Sequence, residues 1–173
     1  MSVRGRTYRY VGPADLRVLV RPGGEGRAIS SSTDLDEWVS QRPPAEREEA
    51  FTFVVDVDGV LRLAPRRSEH VVCAGGGRVL SAGEISFRHD MGRWLVDEVS
   101  NQSTGYCPDV SSWPAVAEAL EHAGIEHPAA FTLPVVFRRC PDCREHNIVR
   151  EDDFVCVFCG SDLPHDWNVD PRA

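Results

Sequence analysis

The sequence has no lysine: all 19 basic residues among its 173 positions are arginine. Asparagine and isoleucine are also scarce, whereas alanine, glycine, arginine and valine are abundant. This bias departs from the usage of average globular proteins and is typical of a GC-rich bacterial genome, in which AT-rich codons are rare. A chain without lysine also escapes modification on lysine amines. Both explanations stay open, and the first indicates a bacterial protein.

A long apolar run and an apolar leader are missing as well. No stretch approaches the roughly 20 residues that a transmembrane helix needs. The opening "MSVRGRTYRYV" has no hydrophobic core of the kind found in signal peptides. We therefore expect a cytoplasmic protein without a membrane partner, in which cysteines stay reduced. The net charge of −8 argues against a general nucleic-acid binder, because such proteins need basic surfaces.

The hydrophobic content of 42% is sufficient for the core of a medium-sized domain. We predict an α+β fold class with two parts. Residues 1–133 form a strand-rich antiparallel domain that packs one main helix. Residues 134–173 hold two Cys-x-x-Cys pairs, which are typical of a zinc ribbon, and end in a tail.

Strand signals dominate the first part. The segments "TYRYV" (7–11) and "LRVLV" (16–20) are apolar or alternating and flank a Gly-Pro turn. In residues 51–63, apolar residues run on both sides of Asp58-Gly59, which is a hairpin turn signal. The stretch "HVVCAGGGRVLSAGEISFRHDMGRWLVDEVS" (70–100) predicts further short strands separated by glycine turns.

Two segments predict helices. "SSTDLDEWVSQR" (31–42) has a serine or threonine cap, acids in its first turn and apolar residues on one face. "SSWPAVAEALEHAG" (111–124) predicts the main helix, because it combines a serine cap, a proline in the first turn and a terminal glycine.

Four of the six cysteines form two Cys-x-x-Cys pairs, Cys140/Cys143 and Cys156/Cys159, with 12 residues between them. Each pair can turn two thiolates toward one ion, and four sulfurs complete the closed tetrahedron of a structural zinc site. The sequence therefore predicts one structural zinc, with "NIV" and "FVC" between the pairs as the arms of a hairpin. A redox dithiol is the alternative, and the two-pair spacing disfavours it. His146 and His165 lie nearby, as groups that support the ligands or as surface residues.

The central region, about residues 51–125, carries a second pattern. "HVVCAGGGRVLSAGEI" is followed by "SNQSTGYCP" and then by the main helix. This region resembles a module of plant IQ-motif calmodulin-binding proteins and of bacterial effector-like proteins, with a His-Ser-Ser…Gly-Gly run and a Ser-Gly-His-Tyr-x-Pro motif. The matching residues are His70, Gly76, Gly77, Val79, Ala82, Gly83, Ser103, Tyr106 and Pro108. Val71 and Val72 replace two serines, and Thr104-Gly105 stand where the second motif has Gly-His. No IQ helix is present, so calmodulin is not expected as a partner, and the resemblance implies no settled activity.

Four residues of this region are candidates for catalysis or binding: His70, Ser103, Tyr106 and Cys107. A histidine beside hydroxyls and a thiol can form a polar pocket, and Cys107 with His70 could serve as nucleophile and base. The alternative is structural, because polar loop residues commonly bond nearby backbone.

Three functions follow from these patterns. The first is a non-catalytic binding or adaptor protein with a structural zinc ribbon, whose partner is a protein or a small ligand. The second is an enzyme or effector-like domain with a pocket around His70 and Tyr106. The third is a ribbon that faces nucleic acid, which four arginines of the ribbon favour (Arg138, Arg139, Arg144 and Arg150) and its many acidic residues oppose.

Overall fold

The computed structural model describes residues 5–170, and its centre is a five-stranded antiparallel sheet in the order β1-β3-β2-β4-β5. The strands of this sheet are β1 (Arg27–Ile29), β2 (Phe51–Asp56), β3 (Leu61–Ala64), β4 (Val79–Asp90) and β5 (Arg93–Val99). The helices are α1 (Ser32–Ser40), α2 (Pro44–Arg47), α3 (His70–Cys73) and α4 (Trp113–His122). A second, two-stranded sheet consists of β6 (Val136–Arg139) and β7 (His146–Val149). The predicted α+β class with a strand-rich antiparallel domain is thereby confirmed.

The central strand β2 is buried on both faces of the sheet. Phe53 and Val55 point into one hydrophobic cluster, and Val54 between them points into a second. Successive side chains of a strand alternate between faces, so one strand supplies both cores. The predicted turn at Asp58-Gly59 is present, and Gly59 adopts a φ of +82° that favours glycine.

The two predicted helices cover one face of the sheet. Leu35 and Trp38 of α1 and Val116 and Leu120 of α4 are buried in the same cluster as Phe53. In α1 the N-cap is Ser31, whose hydroxyl accepts from the backbone N–H of Asp34 at 3.1 Å. Burial of one large apolar side chain contributes about 2 kcal/mol to the free energy of folding, so the apolar faces of α1 and α4 stabilise the fold through their packing on the sheet.

The opposite face is covered by the N-terminal segment and by α3, and here three predictions are wrong. Residues 14–19 form a 3-10 helix instead of the strand predicted over 16–20, and Val18 and Leu19 are exposed. Residues 7–11 are not a strand either, apart from one bridge between Tyr8 and Val79. His70 begins a short helix, although a strand was expected after it. A four-residue apolar run fits either conformation, because it is too short to show a period.

The C-terminal hairpin differs from the prediction in its pairing. β7 pairs with β6, upstream of the first cysteine pair, in a register that places Phe137 opposite Ile148. The predicted partner, "FVC", instead makes a bridge between Val155 and Asp162, beyond the second pair. Each cysteine pair therefore lies at the tip of its own small hairpin.

The ribbon packs against the first part of the chain. The amide of Asn101 donates to the carbonyl of Val135 at 2.7 Å, and its oxygen accepts from the N–H of Val135 at 2.7 Å. Farther along the chain, Asp170 is paired with Arg9 at 2.6 Å. The division at residues 133 and 134 stays a prediction, with these contacts across it. Over the described part of the chain, none of the helices has the length and apolar character to cross a membrane.

Candidate metal centre

The two cysteine pairs form knuckles with the same backbone hydrogen bonds. In the first, the N–H of Cys140 donates to the carbonyl of Glu145 at 2.9 Å, and the N–H of Arg144 donates to the carbonyl of Cys140 at 3.0 Å. In the second, the N–H of Cys156 donates to the carbonyl of Ser161 at 2.8 Å, and the N–H of Gly160 donates to the carbonyl of Cys156 at 2.9 Å. The two knuckles are therefore equivalent turns that differ in sequence.

The residue after each pair has a left-handed backbone. Gly160 has a φ of +79° and Arg144, at the equivalent position, has a φ of +68°. Glycine adopts this conformation freely, whereas for arginine it is unfavourable in free energy, because the Cβ lies close to the following carbonyl. The glycine after the second pair indicated a sharp turn in the sequence, and the same turn in the first knuckle has no glycine to indicate it.

The four thiols converge on one point. The sulfurs of Cys140 and Cys159 are 3.6 Å apart, those of Cys143 and Cys156 are also 3.6 Å apart, and all four lie within 4.8 Å of one another. A tetrahedral ion with metal–sulfur bonds of about 2.3 Å places its sulfurs about 3.8 Å apart. Disulfide sulfurs, in contrast, lie about 2.0 Å apart. The cysteine cluster can hold one metal ion, as predicted.

Backbone and side-chain donors surround the sulfurs. The amide of Asn147 donates to the Cys156 sulfur at 3.4 Å, and its oxygen accepts from the N–H of Val157 at 2.9 Å. Burial opposes ionisation of Cys156, but the N–H of Cys159 and the Asn147 amide stabilise the thiolate, and the pKa of Cys156 falls to about 6. Hydrogen bonds from the Ser161 hydroxyl and backbone also lower the pKa of Cys159.

The pKa of Cys143 shifts in the opposite direction, upward. The backbone N–H of Glu145 favours its thiolate, but burial and the three neighbouring thiols raise the pKa of Cys143 to about 12. Four sulfurs this close cannot all ionise without a compensating charge, because like charges oppose one another. A divalent cation bound to the four sulfurs would supply that charge.

His165 and His146 lie near the cluster without belonging to it. The ring of His165 stacks on Phe154 with centroids 4.2 Å apart. His146 is half-buried on β7, and burial lowers its pKa. Among the described residues, only the four cysteines form a set that could hold an ion.

The residues of the central pattern make backbone contacts. Nε2 of His70 donates to the carbonyl of Gly83 at 2.8 Å, which fixes the ring tautomer, and burial lowers the pKa of His70. The hydroxyl of Tyr106 donates to the carbonyl of Gly77 at 2.7 Å, and burial raises the pKa of Tyr106. The two parts of the pattern therefore meet through Tyr106 and Gly77.

Ser103 and Cys107 are buried in the same loop. The hydroxyl of Ser103 accepts from the N–H of Tyr106 at 3.3 Å. The Cys107 sulfur lies 3.5 Å from the carbonyl of Thr104, and burial raises its pKa to about 12, which disfavours the nucleophilic thiolate. Each of the four candidates thus bonds a backbone group, and a catalytic role for them stays a prediction.

Asn101 is a residue that the sequence did not single out. It is fully buried, and its amide also donates to the carbonyl of Pro108 at 2.9 Å, so it holds the loop of residues 102–108 against Val135. Its position between a strand and a turn-rich loop was the only signal available, and asparagine is common in such loops.

A cleft of about 480 Å³ lies between this loop and the ribbon. Its base includes Cys107, Phe137 and Ile148, and its rim includes the knuckle residues Val157 and Phe158. These two rim side chains are 76% and 63% exposed, although both are apolar. The cleft was not predicted, because it depends on how the ribbon packs on the loop.

Comparison with known proteins gives no relative: none of the protein-family models, curated proteins or solved structures matches this chain. The resemblance of the central region to plant IQ-motif and bacterial effector-like proteins therefore has no support from a family match.

Proposed function

We propose that this chain is a zinc-binding bacterial cytoplasmic protein that binds another protein and catalyses no reaction. The observation that supports the metal site is the cluster of four sulfurs, in which Cys140 and Cys159 are 3.6 Å apart and Cys143 and Cys156 are also 3.6 Å apart. Zinc is the ion that four thiolates at this spacing select among the common structural metals. Cys140, Cys143, Cys156 and Cys159 would hold it.

The proposed role of the metal is structural. Four cysteine ligands leave no coordination position for water or substrate, which catalytic zinc requires. The ribbon has a small core of its own, made by the cysteines and Leu163 with Val149 and Phe154 beside them. Small domains of this kind depend on metal for their folding energy.

A binding role is supported by the surface that the metal would hold in place. Val157 and Phe158 lie between the two cysteines of the second knuckle and expose their apolar side chains beside the cleft. Exposed apolar groups next to a concave surface are typical of interaction sites. His70 and Tyr106, in contrast, are engaged with backbone carbonyls, which supports a structural role for both.

The test is the metal content of the purified protein, measured by mass spectrometry of the native chain and by elemental analysis. We expect one zinc per chain, and loss of that zinc in the Cys143→Ala variant. Cys73→Ala is the matched control, because Cys73 is a buried free cysteine outside the cluster, and it should retain the metal. Full zinc content in Cys143→Ala, or iron in place of zinc in the parent protein, would overturn the assignment.

A further inference from the structure

The outer edge of β7 carries backbone groups that point away from its partner strand. Arg139 donates its N–H to Asn168 at 2.9 Å and accepts from the Asn168 amide at 2.7 Å, so both groups of Arg139 face away from β7. Its cross-strand neighbour is His146. Arg139 and His146 are therefore a non-hydrogen-bonded pair. In an antiparallel ladder such pairs alternate with hydrogen-bonded pairs, and the N–H and C=O groups of both residues point away from the partner strand.

The same alternation applies two residues along the strand. Ile148 stands opposite Phe137, two positions from the His146 pair, and its N–H and carbonyl therefore also point outward. Asn168 covers the corresponding edge of β6. Within residues 5–170, no hydrogen bond of the structure ends on the outward groups of His146 or Ile148. This edge is a short template to which another extended chain can add.

Apolar surface lies directly beside this edge. His146 and Ile148 both line the cleft, together with Val157 and Phe158 at its rim. In peptide recognition by strand addition, main-chain hydrogen bonds to an edge supply affinity, and a pocket beside the edge accepts alternate side chains. The cleft volume of about 480 Å³ is within the range of ligand pockets and can accept one or two apolar side chains.

The charges around the cleft select the partner. The turn that follows β7 exposes Glu151, Asp152 and Asp153, of which Asp153 lines the cleft. Arg150 and His146 are the basic side chains of that lining. Glu145 before β7 is exposed, the chain carries a net charge of −8, and four thiolates around a divalent ion add a formal charge of −2. A basic segment is complementary to this surface, whereas an acidic one or a nucleic acid is repelled.

We propose that the outer edge of β7 and the cleft beside Val157 and Phe158 bind an extended, basic segment of a partner protein that alternates basic and apolar residues. The segment adds as a strand to His146 and Ile148, its apolar side chains enter the cleft, and its basic side chains face the acidic turn. This inference deepens the proposed function and rests on it, because zinc holds the second knuckle in position.

The experiment uses the full zinc-loaded chain and a synthetic peptide of alternating arginine and valine. Backbone NMR of the labelled protein should show shifts at His146, Ile148, Val157 and Phe158, and a dissociation constant follows from the titration. Val157→Asp should weaken binding by at least about tenfold, since it places a charge in an apolar contact. Val18→Asp, which changes another exposed valine in the 3-10 helix of residues 14–19, should leave the affinity unchanged.

Peptide controls separate strand addition from charge attraction. A glutamate–valine peptide should not bind, and methylation of the arginine–valine peptide on alternate backbone nitrogens should abolish binding by removing donors. Equal binding of Val157→Asp and the parent, or shifts only at scattered acidic residues, would overturn the proposal. A dimer of the free protein that Val157→Asp dissociates would also overturn it, because the occupant would then be a second copy of this chain.

Metal content measured on the same samples keeps the two proposals separate. If the zinc-loaded protein does not bind the peptide, only the proposal of a binding edge on β7 is contradicted. A protein that never holds zinc contradicts the metal assignment on which the edge depends.

Discussion

The indole N–H of Trp167 donates to the carbonyl oxygen of Cys107 at 2.8 Å. Cys107 has a φ of +45°, so its backbone adopts the left-handed conformation that costs a non-glycine residue free energy. The contact joins the tail after the ribbon to the loop of residues 102–108. The same indole ring packs edge-on against Tyr8 with centroids 5.3 Å apart, so one side chain connects three segments of the chain.

Replacement of this tryptophan tests the connection. We expect Trp167→Phe to lower the free energy of unfolding by about 1–2 kcal/mol, because it keeps an aromatic ring and removes the hydrogen bond to Cys107. Trp167→Ala should cost about 3 kcal/mol or more, since it also removes the ring. Urea denaturation followed by circular dichroism measures both values, and equal stability of the two variants would contradict the contribution of the ring.

Metal removal should separate the ribbon from the sheet. When the proposed zinc is chelated from the folded protein, we expect amide hydrogen exchange to accelerate in β6 and β7, because small domains with a closed cysteine site depend on metal for their folding energy. Protection of β2 and β4 should persist, because these strands are buried by the two main hydrophobic clusters. Uniform loss of protection over the whole chain would show that the two parts unfold as one unit.

His70 gives a pH dependence with a defined sign. Burial lowers its pKa below the unfolded value of 6.5, so the unfolded chain binds a proton that the folded chain does not. The stability that neutral His70 contributes is therefore present above about pH 6.5 and is lost as the pH falls below it, with a slope of up to about 1.4 kcal/mol per pH unit. His146 has the same sign and adds to the effect.

The His70→Gln variant isolates that contribution. Glutamine can still donate to the carbonyl of Gly83 and has no titrating group, so the slope between about pH 5 and 6.5 should decrease. Denaturant unfolding at several pH values measures the slope. The exposed His122 at the end of α4 supplies the control, His122→Gln. Parallel curves for parent protein and His70→Gln would show that His70 does not contribute.

A close backbone approach at Gly83 predicts a strongly destabilising substitution. A Cβ at this position of β4 would lie 1.9 Å from the carbonyl oxygen of Ser100. We expect Gly83→Ala to lower the free energy of unfolding by about 3 kcal/mol or more, because backbone must move to relieve the clash. At Gly5 a Cβ meets nothing within 4 Å, so Gly5→Ala is the matched control. Thermal unfolding of both variants measures the difference.

Loss of Asn101 should also destabilise the loop. Its side chain makes three hydrogen bonds, to the carbonyls of Pro108 and Val135 and from the N–H of Val135. Asn101→Ala leaves these buried groups without partners, at about 1–3 kcal/mol each where water cannot replace the bond. We expect a loss of about 3 kcal/mol or more by denaturant unfolding, and a loss below about 1 kcal/mol would show that water takes the place of the amide.

The features that could be predicted have strong local signals. Two cysteine pairs at metal spacing predicted the cluster that can hold a metal ion, and the apolar residues around Asp58-Gly59 predicted the hairpin of β2 and β3. The segments 31–42 and 111–124 had serine cap signals and one apolar face, and both are present as α1 and α4. Ser31 caps α1 with its side chain, whereas Ser112 at the start of α4 makes no side-chain capping hydrogen bond.

The features that were missed depend on long-range contacts. "LRVLV" is apolar enough for a buried strand, yet within residues 5–170 no strand pairs with it, and Val18 remains 67% exposed. The partner of β7 is β6, upstream of the first cysteine pair, whereas the sequence predicted pairing with the apolar "FVC" segment downstream. The cleft lies between the loop and the ribbon, which Asn101 and Trp167 connect through contacts between residues distant in sequence.

The ion pair between Arg9 and Asp170 joins positions 161 residues apart, with the carboxylate buried. During synthesis Asp170 is added 161 residues after Arg9, so the ion pair can form only after the ribbon between them has been translated. The Tyr8–Trp167 contact closes over almost the same distance. Residues 8 and 9 therefore acquire these contacts only after the ribbon has been translated, because both of their partners follow the cysteine pairs in the chain.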